Sequence, residues 1–169
     1  MIYVTSYWEL GRWLRAKRPA GLVSILGPKD DLPWPDYWPP ERHLKLTFDD
    51  TERTVGGFGP DIVQIAEMIG FFRRWNLEDS LMIHCHGGIS RSPAAALVAL
   101  SIFNPGRERQ AAALLRRQAQ HADPNDAVIR LADQALQLGG RLGAAVDSMS
   151  VPSGKGGRRF IELSVHVPD

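Results

Sequence analysis

The chain has 169 residues, of which 44% are hydrophobic and 23% are charged, and this profile is typical of one soluble globular domain. No apolar run approaches the ~18 residues that span a bilayer, no signal peptide is expected at the N-terminus, and a net charge of +1 gives no general attraction to nucleic acid or to a membrane surface. The single cysteine excludes a disulfide within the chain and favours a reducing compartment, so we expect a cytoplasmic protein.

The first half of the chain alternates short β-prone runs with segments of helical periodicity. Apolar or alternating runs predict four strands, at residues 2–5, 21–26, 43–48 and 80–85. Helical spacing of apolar residues predicts two helices, at residues 7–17 and 61–75. In the first of these helices, Trp8, Trp13 and Leu14 are available for the inner face. Loops rich in proline or glycine join the elements at residues 27–40 and 49–60.

The second half is helical up to about residue 143 and then changes in composition. Proline and glycine breaks predict three helices, which begin at Pro93, at about residue 107 and at the cap Asp123, the last of them ending near Gly139. Residues 147–169 are glycine-rich at first and then alternate in polarity, which predicts a C-terminal arm with a late strand. We expect the main domain to occupy residues 1–146.

The alternation of strands and helices also predicts the fold class. Because parallel strands need long crossover connections, this order is typical of an α/β protein. We expect a three-layer domain with a central, largely parallel sheet of four to five strands, flanked by helices. In such sheets ligands collect beyond the carboxyl ends of the strands, so the segments that follow the strands are the first place to search for a site.

The most informative segment is residues 84–92, His-Cys-His-Gly-Gly-Ile-Ser-Arg-Ser, which follows the fourth predicted strand and enters a helix. The N-terminus of a helix presents unpaired backbone N–H groups and the positive end of the helix dipole, and this arrangement suits an anion, phosphate above all. Gly87 and Gly88 let the backbone curl so that successive N–H groups point inward. The segment therefore predicts a phosphate-binding loop.

Three side chains add chemistry to this loop. Cys85 lies at its base, where the positive field favours the thiolate, the nucleophilic form of cysteine. Arg91 can bind two phosphate oxygens at once through its planar guanidinium group. The Ser92 hydroxyl is placed to donate to the sulfur, which would ease the departure of the thiolate. The alternative is an inert buried cysteine at the end of a strand, but two glycines, Arg91 and Ser92 in register favour catalysis.

A His, a Cys, five residues and an Arg, followed by Ser, resembles the signature of the protein tyrosine phosphatase superfamily, and Gly88 stands where that signature has its glycine. The order of elements is also similar to that of the compact dual-specificity branch, the short bacterial forms above all. The resemblance implies an enzyme that hydrolyses phosphomonoesters through a cysteinyl-phosphate intermediate, with no metal or other cofactor. It implies catalytic roles for Cys85, Arg91 and Ser92. It implies that the substrate phosphate is bound at His86, Gly87, Gly88, Ile89, Ser90 and Arg91.

The resemblance also implies a general acid on a separate loop, which protonates the leaving group and later takes a proton from water. In the family this acid follows a strand and precedes the helix that leads to the cysteine strand, and Asp49 and Asp50 occupy that place. Asp50 fits best. Asp36 lies in a Trp-Pro-Asp tripeptide like that of the larger tyrosine phosphatases, but it precedes the third predicted strand. We therefore assign the acid to Asp50, with Asp49 and Asp36 as alternatives.

The expected partners are phosphorylated proteins or small phosphomonoesters, without nucleic acid or membrane, and the oligomeric state is left open. Branches of the family that prefer inositol lipids often carry lysines in the signature loop, and this loop has none, which favours protein or small aryl phosphates. Two other functions stay open. A phosphate-binding module of the same fold could have lost turnover. A sulfur transferase of the rhodanese kind also uses a cysteine loop after a strand, although His84 and the Arg-Ser pair fit it poorly.

Overall fold

The computed structural model of the protein describes residues 1–30, 32–33, 38–51, 58–77, 79–153 and 160–167. The strands are β1 (Ile2–Ser6), β2 (Gly21–Leu26), β3 (His43–Thr47), β4 (Leu81–Cys85) and β5 (Ile161–Leu163). The α-helices are α1 (Tyr7–Lys17), α2 (Ile62–Arg74), α3 (Arg91–Phe103), α4 (Glu108–Gln118), α5 (Asp126–Ala135) and α6 (Arg141–Asp147), and a short 3-10 helix (Pro40–Arg42) precedes β3. Among the helices in these ranges, none is both long and apolar enough to cross a membrane.

The strands form one sheet in the order β3–β2–β4–β1–β5. The first four run parallel to their neighbours, and β5 runs antiparallel to β1. Cys85, the last residue of β4, pairs in register with Ser6 of β1 and with Ile25 of β2. Cys85 therefore lies in the middle of the carboxyl edge of the sheet, where open α/β sheets bind their ligands. The predicted α/β class with a largely parallel sheet is confirmed.

Alternating side chains of the central strands pack into two helical layers. One face carries a small cluster formed by Leu10, Trp13 and Leu14 of α1 with Leu22 and Met82 of the sheet. The other face carries the larger core, in which Val23 and Ile83 pack with residues of α2 to α6. Successive residues of a strand point to opposite faces, so the neighbours Leu22 and Val23 serve different layers. The result is the predicted three-layer domain.

The last predicted helix of the C-terminal half corresponds to α5, and α6 follows it as a further helix that was not predicted. α5 begins behind the cap Asn125 and not at Asp123, because the Asn125 side chain accepts a hydrogen bond from Val128 N at 3.0 Å. α6 follows Gly140, because the buried Asp133 carboxylate accepts a hydrogen bond from Gly140 N at 2.6 Å. A helix start that depends on a side chain of the preceding helix leaves no signal in local periodicity.

Trp8 was expected on the inner face of α1, and this expectation is wrong. Leu10, Trp13 and Leu14 have the spacing of one helical face and are buried, whereas Trp8 is 68% exposed. Trp8 precedes Leu10 by two residues, which places it about 200° around the helix. Its ring instead contacts the ring of His86, with centroids 5.8 Å apart. Trp8 therefore stands beside the loop that follows β4.

The C-terminal segment packs onto the sheet and its helices. β5 pairs with β1, and Phe160 stacks on Trp13 with ring centroids 3.7 Å apart. Asn104 Nδ2 donates to Val165 O at 2.7 Å, and its Oδ1 accepts from Val167 N at 3.0 Å. β5 thus lies within the segment for which a late strand was predicted. The division into a main domain and an arm stays a prediction.

Candidate active site

A loop at residues 86–90 joins the end of β4 to the start of α3. α3 begins at Arg91, two residues before the predicted start at Pro93, so Arg91 lies in the first helical turn. The N–H groups of a first turn have no acceptor within the helix and carry the positive end of its dipole. Tyr7 N donates to His86 O at 3.1 Å and binds the loop to α1. This geometry suits an anion above the sheet edge.

Gly88 gives the loop its shape. Its φ of 70° lies in the left-handed region, and a Cβ atom at this position would lie 2.8 Å from the backbone N of Ser6. Both the conformation and the close approach of β1 therefore require glycine. Gly88 N donates a hydrogen bond to Cys85 Sγ at 3.2 Å, so the turn at Gly88 aims a backbone N–H group at the sulfur.

The sulfur of Cys85 lies at the bottom of the loop, and the residue is 1% exposed. Besides Gly88 N, the Ser92 hydroxyl donates to Cys85 Sγ at 3.1 Å. An ionised acceptor makes stronger hydrogen bonds than a neutral one, so the two donors favour negative charge on the sulfur. The structure thus brings Cys85 and Ser92 together in the arrangement expected from their spacing.

His84 precedes Cys85 in β4 and has no exposed surface. Its Nε2 atom lies 2.6 Å from Ser24 Oγ, which in turn lies 2.8 Å from His43 Nε2. Burial, together with the neighbouring His43, lowers the pKa of His84 to about 3. The ring is therefore neutral at physiological pH, and this chain of hydrogen bonds links β4 to β2 and β3. Such a ring holds the base of the loop in place through its hydrogen bonds.

Arg91 is almost completely buried, and its nitrogens face different groups. Nη1 donates to Phe48 O at 2.9 Å and lies 3.5 Å from Asp30 Oδ2. Nε lies 4.0 Å from Asp50 Oδ2 and has no hydrogen-bond partner within the described part of the chain. A buried N–H group without a partner is unfavourable, and a bound anion would satisfy it. Arg91 therefore offers an unused donor edge at the site.

Of the three candidates for the general acid, Asp50 contacts the loop directly. Its Oδ1 atom accepts from Ser90 Oγ at 2.6 Å and from Asn125 Nδ2 at 3.0 Å, and its side chain is 43% exposed. Asp49 is turned toward the end of β2, since a Cβ atom on Gly27 would overlap Asp49 Oδ1. Asp36 lies outside the described residues. The geometry thus brings Asp50 to the phosphate loop.

Two residues of the site were missed by the sequence analysis. Asp30, which follows β2, accepts a hydrogen bond from His86 Nδ1 at 2.8 Å and lies beside Arg91. Asn125 binds Asp50 and also caps α5. The rule that ligands collect where parallel strands end could have identified Asp30, because it comes four residues after Leu26, the end of β2. No local signal distinguishes Asn125 from an ordinary cap.

Comparisons with known proteins support the architecture. No protein-family model matches the chain, and no curated protein matches it. The PTP-2 phosphatase of Cydia pomonella superposes with a TM-score of 0.61 at 18% identity, over 79% of this chain and 84% of that one. DUSP15 does so with a TM-score of 0.62 at 16% identity, over 90% and 94% of the two chains. PTPMT1 in complex with PI(5)P superposes with a TM-score of 0.59 at 11% identity, over 85% of this chain and 93% of that one.

Likenesses at such identities concern the path of the chain. They extend over most of both chains in each comparison. The chain has the fold of the cysteine-based protein tyrosine phosphatases, in the compact form of the dual-specificity branch.

Proposed function

We propose that the protein hydrolyses phosphomonoesters through a cysteinyl-phosphate intermediate on Cys85, as a protein tyrosine or dual-specificity phosphatase without a metal or other cofactor. One observation carries the proposal: Cys85 Sγ accepts hydrogen bonds from Gly88 N and Ser92 Oγ at the start of α3. In the same site, Arg91 Nε has no hydrogen-bond partner among the residues that the structure describes. An anion-binding loop built around a sulfur nucleophile is suited to phosphoryl transfer, in which positioning and charge stabilisation dominate.

In the first step the phosphate lies in the loop, held by the backbone N–H groups of residues 86–90 and by Arg91. The thiolate of Cys85 attacks phosphorus, so that an S–P bond forms while the bond between phosphorus and the leaving oxygen breaks. Asp50 gives its proton to that oxygen, and the alcohol or phenol departs. The products of this step are the free alcohol, the cysteinyl phosphate and the Asp50 carboxylate.

In the second step a water molecule attacks phosphorus and the S–P bond breaks. The Asp50 carboxylate accepts a proton from the water, which restores the acid for the next cycle. Ser92 Oγ donates to Cys85 Sγ and stabilises the charge that returns to the sulfur as the thiolate leaves. Inorganic phosphate is released, and every group of the site has returned to its starting state.

The substrates we propose are phosphorylated proteins or small aryl phosphates. The exposed ring of Trp8 stands against His86 at the rim of the loop and offers an aromatic surface to the ring of a substrate. PTPMT1 is a structural neighbour in complex with PI(5)P, so inositol phosphates belong among the compounds tested. The absence of lysine from residues 86–90 favours the aryl and protein substrates.

The test is hydrolysis of phenyl phosphate between about pH 5 and pH 8 with a chelator present, comparing wild type with Cys85→Ser and Asp50→Asn. We expect Cys85→Ser to abolish turnover and Asp50→Asn to remove the contribution of the acid. Loss of activity on chelation would count against a cofactor-free mechanism.

The alternative is a module of this fold that binds phosphate and has lost turnover. It is favoured by the position of Asp50, whose Oδ1 is engaged by both Ser90 and Asn125, if these contacts keep the carboxyl group from the leaving oxygen. A folded wild type that binds inorganic phosphate but hydrolyses none of the substrate classes would support this second function and overturn the first.

A further inference from the structure

Asp30 is a carboxylate outside the motif that contacts His86, the first residue of the phosphate loop, and Arg91, the residue just after the loop. Asp30 Oδ1 accepts from Nδ1 of His86, the residue after Cys85, at 2.8 Å, and Asp30 Oδ2 lies 3.5 Å from Nη1 of Arg91. We propose that Asp30 is a positioning residue, which fixes Arg91 and His86 so that the free donor edge of Arg91 meets the bound phosphate. The inference rests on the proposed function, because it concerns the phosphate held at that same site.

The Asp30 carboxylate is itself tied to the backbone. Gly27 N donates to Asp30 Oδ2 at 2.5 Å, and Asp30 N donates to Gly27 O at 3.1 Å, so the two residues close a tight turn at the end of β2. The Asp30 side chain is 17% exposed. A carboxylate held in this way by its own turn cannot follow the movements of the groups that bind it, and it therefore serves as a fixed point for Arg91 and His86.

Asp30 is an anion at neutral pH. Burial alone would raise its pKa, but the hydrogen bonds from His86 and from Gly27 N, together with the charge of Arg91, outweigh burial and lower the pKa below the ordinary value of aspartic acid. An ionised carboxylate accepts hydrogen bonds and has no proton to give. Asp30 is thus suited to holding cationic donors, and the role of the general acid remains with another residue.

The contact with Asp30 decides which edge of Arg91 is free. Nη1 is used within the protein, since it donates to Phe48 O at 2.9 Å and faces Asp30. Nε is buried, lies 4.0 Å from Asp50 Oδ2 and has no hydrogen-bond partner within the described residues. The guanidinium group is planar and rigid, so fixing one nitrogen sets the direction of the others. Asp30 and Phe48 O together therefore leave Nε as the donor for an oxygen of a phosphate group.

At the other end of the loop, Asp30 sets the orientation of His86. The ring is held at Nδ1 by Asp30, and its edge contacts the ring of Trp8 at 5.8 Å between centroids. A ring held at Nδ1 by a fixed carboxylate cannot turn freely about its side-chain bonds. Asp30 therefore holds both His86 and Arg91 in one orientation.

The direction of the change in phosphate binding on removal of Asp30 distinguishes a positioning role from a purely electrostatic effect. Asp30 is negative, and by Coulomb's law its removal should strengthen the binding of a phosphate dianion. If Asp30 acts by holding Arg91, its removal should instead weaken that binding. Asp30→Ala removes both the charge and the hydrogen bonds. Asp30→Asn removes the charge but keeps the shape and one acceptor oxygen, so we expect it to lie between Asp30→Ala and wild type.

The experiment measures protection of Cys85 from alkylation by iodoacetate, with inorganic phosphate as the protecting ligand. Cys85 is the only cysteine, so the rate reports this site without any need for turnover. We expect Asp30→Ala to raise the dissociation constant of phosphate by about tenfold, the equivalent of one charge-assisted hydrogen bond. Asp79→Asn is the matched control, an exposed aspartate before β4 and so at the far edge of the sheet, and it should bind phosphate like wild type.

A second readout is the NMR chemical shift of the His86 Nδ1 atom, which should change in Asp30→Ala because its hydrogen-bond partner is lost. Thermal unfolding checks that each variant is folded, and Asp30→Asn carries the test if Asp30→Ala does not fold.

Unchanged or tighter phosphate binding in a folded Asp30 variant would overturn the inference. If wild type binds phosphate in an Asp30-dependent way yet hydrolyses no phosphomonoester, the proposed function fails and the positioning role stands. If wild type hydrolyses phosphomonoesters and its phosphate binding does not depend on Asp30, the proposed function stands and the positioning role fails.

Discussion

The Ser92 hydroxyl donates a hydrogen bond to Cys85 Sγ at 3.1 Å. Ser92 lies in the first turn of α3 and is fully buried, so water cannot replace this donor. The bond can act in either step of the proposed reaction, but it matters most when the S–P bond breaks and negative charge returns to the sulfur.

We therefore expect Ser92→Ala to slow breakdown of the intermediate and to lower kcat by about tenfold, the effect of one hydrogen bond to a charged group. Rapid mixing with p-nitrophenyl phosphate should then show a burst of p-nitrophenol equal to the enzyme concentration. Ser101→Ala is the control, because Ser101 is buried in the same helix but donates to Leu97 O at 2.8 Å. An equal loss of kcat in both variants, with no burst, would contradict this role of Ser92.

Gly88 and Gly106 form a second matched pair. Both have positive φ, 70° and 81°, but a Cβ atom on Gly88 would meet the backbone of β1, whereas one on Gly106 would meet nothing within 4 Å. We expect Gly106→Ala to lower the free energy of unfolding by about 1 kcal/mol through strain alone, with phosphate binding unchanged. Gly88→Ala should lower it further and should also abolish protection of Cys85 by phosphate. Denaturant unfolding and the alkylation assay measure the two effects, and intact protection in Gly88→Ala would show that the loop tolerates a side chain.

The features that could be predicted from the sequence are those formed by residues close together in the chain. The bounds of α1 and β2 agree with the prediction from apolar spacing, and the loop with Cys85 and Arg91 is a continuous motif whose contacts span seven residues or fewer. Contacts between distant segments left no such pattern. Asp30 and His86 are 56 residues apart, and Asn125 and Asp50 are 75 residues apart, so only the assembled sheet edge brings each pair together.

Trp8 should affect the choice of substrate and not the chemistry. Its exposed ring lies beside His86 at the rim, where it can contact an aryl group but not the reacting phosphate. We expect Trp8→Ala to lower kcat/KM for an aryl phosphate by about threefold to tenfold, the range of one aromatic contact, while kcat/KM for an alkyl phosphate stays the same. Trp8→Phe should retain most of the preference. Equal losses on both substrates would exclude a role in selecting the ring.

Asp50 is expected to act as the general acid because it is the carboxylate that contacts Ser90 of the loop. Asp50→Asn should lower kcat by about 100-fold or more for phenyl phosphate, whose leaving group needs a proton, and much less for p-nitrophenyl phosphate, whose leaving group does not. Asp49→Asn is the control with the adjacent carboxylate. A larger and leaving-group-dependent loss in Asp49→Asn would transfer the assignment to Asp49.

His84 makes the free energy of unfolding depend on pH. Its pKa falls from the ordinary value of 6.5 to about 3 in the folded protein, chiefly through burial. Between these two pKa values the unfolded chain binds a proton that the folded protein excludes. The free energy of unfolding therefore falls as the pH drops below 6.5, by about 1.4 kcal/mol for each pH unit, and this loss ends only near the folded pKa.

Replacement of His84 by asparagine removes this contribution. We expect the stability advantage of wild type over His84→Asn to be about 2 kcal/mol smaller at pH 5 than at pH 8, as measured by urea unfolding at each pH. The control is Ser101→Ala, since the buried Ser101 hydroxyl does not titrate in this pH range, and it should differ from wild type equally at both pH values. If wild type and His84→Asn lost stability in parallel on acidification, His84 would have to be protonated in the folded protein. It could then no longer be the neutral partner of Ser24 at the base of the phosphate loop.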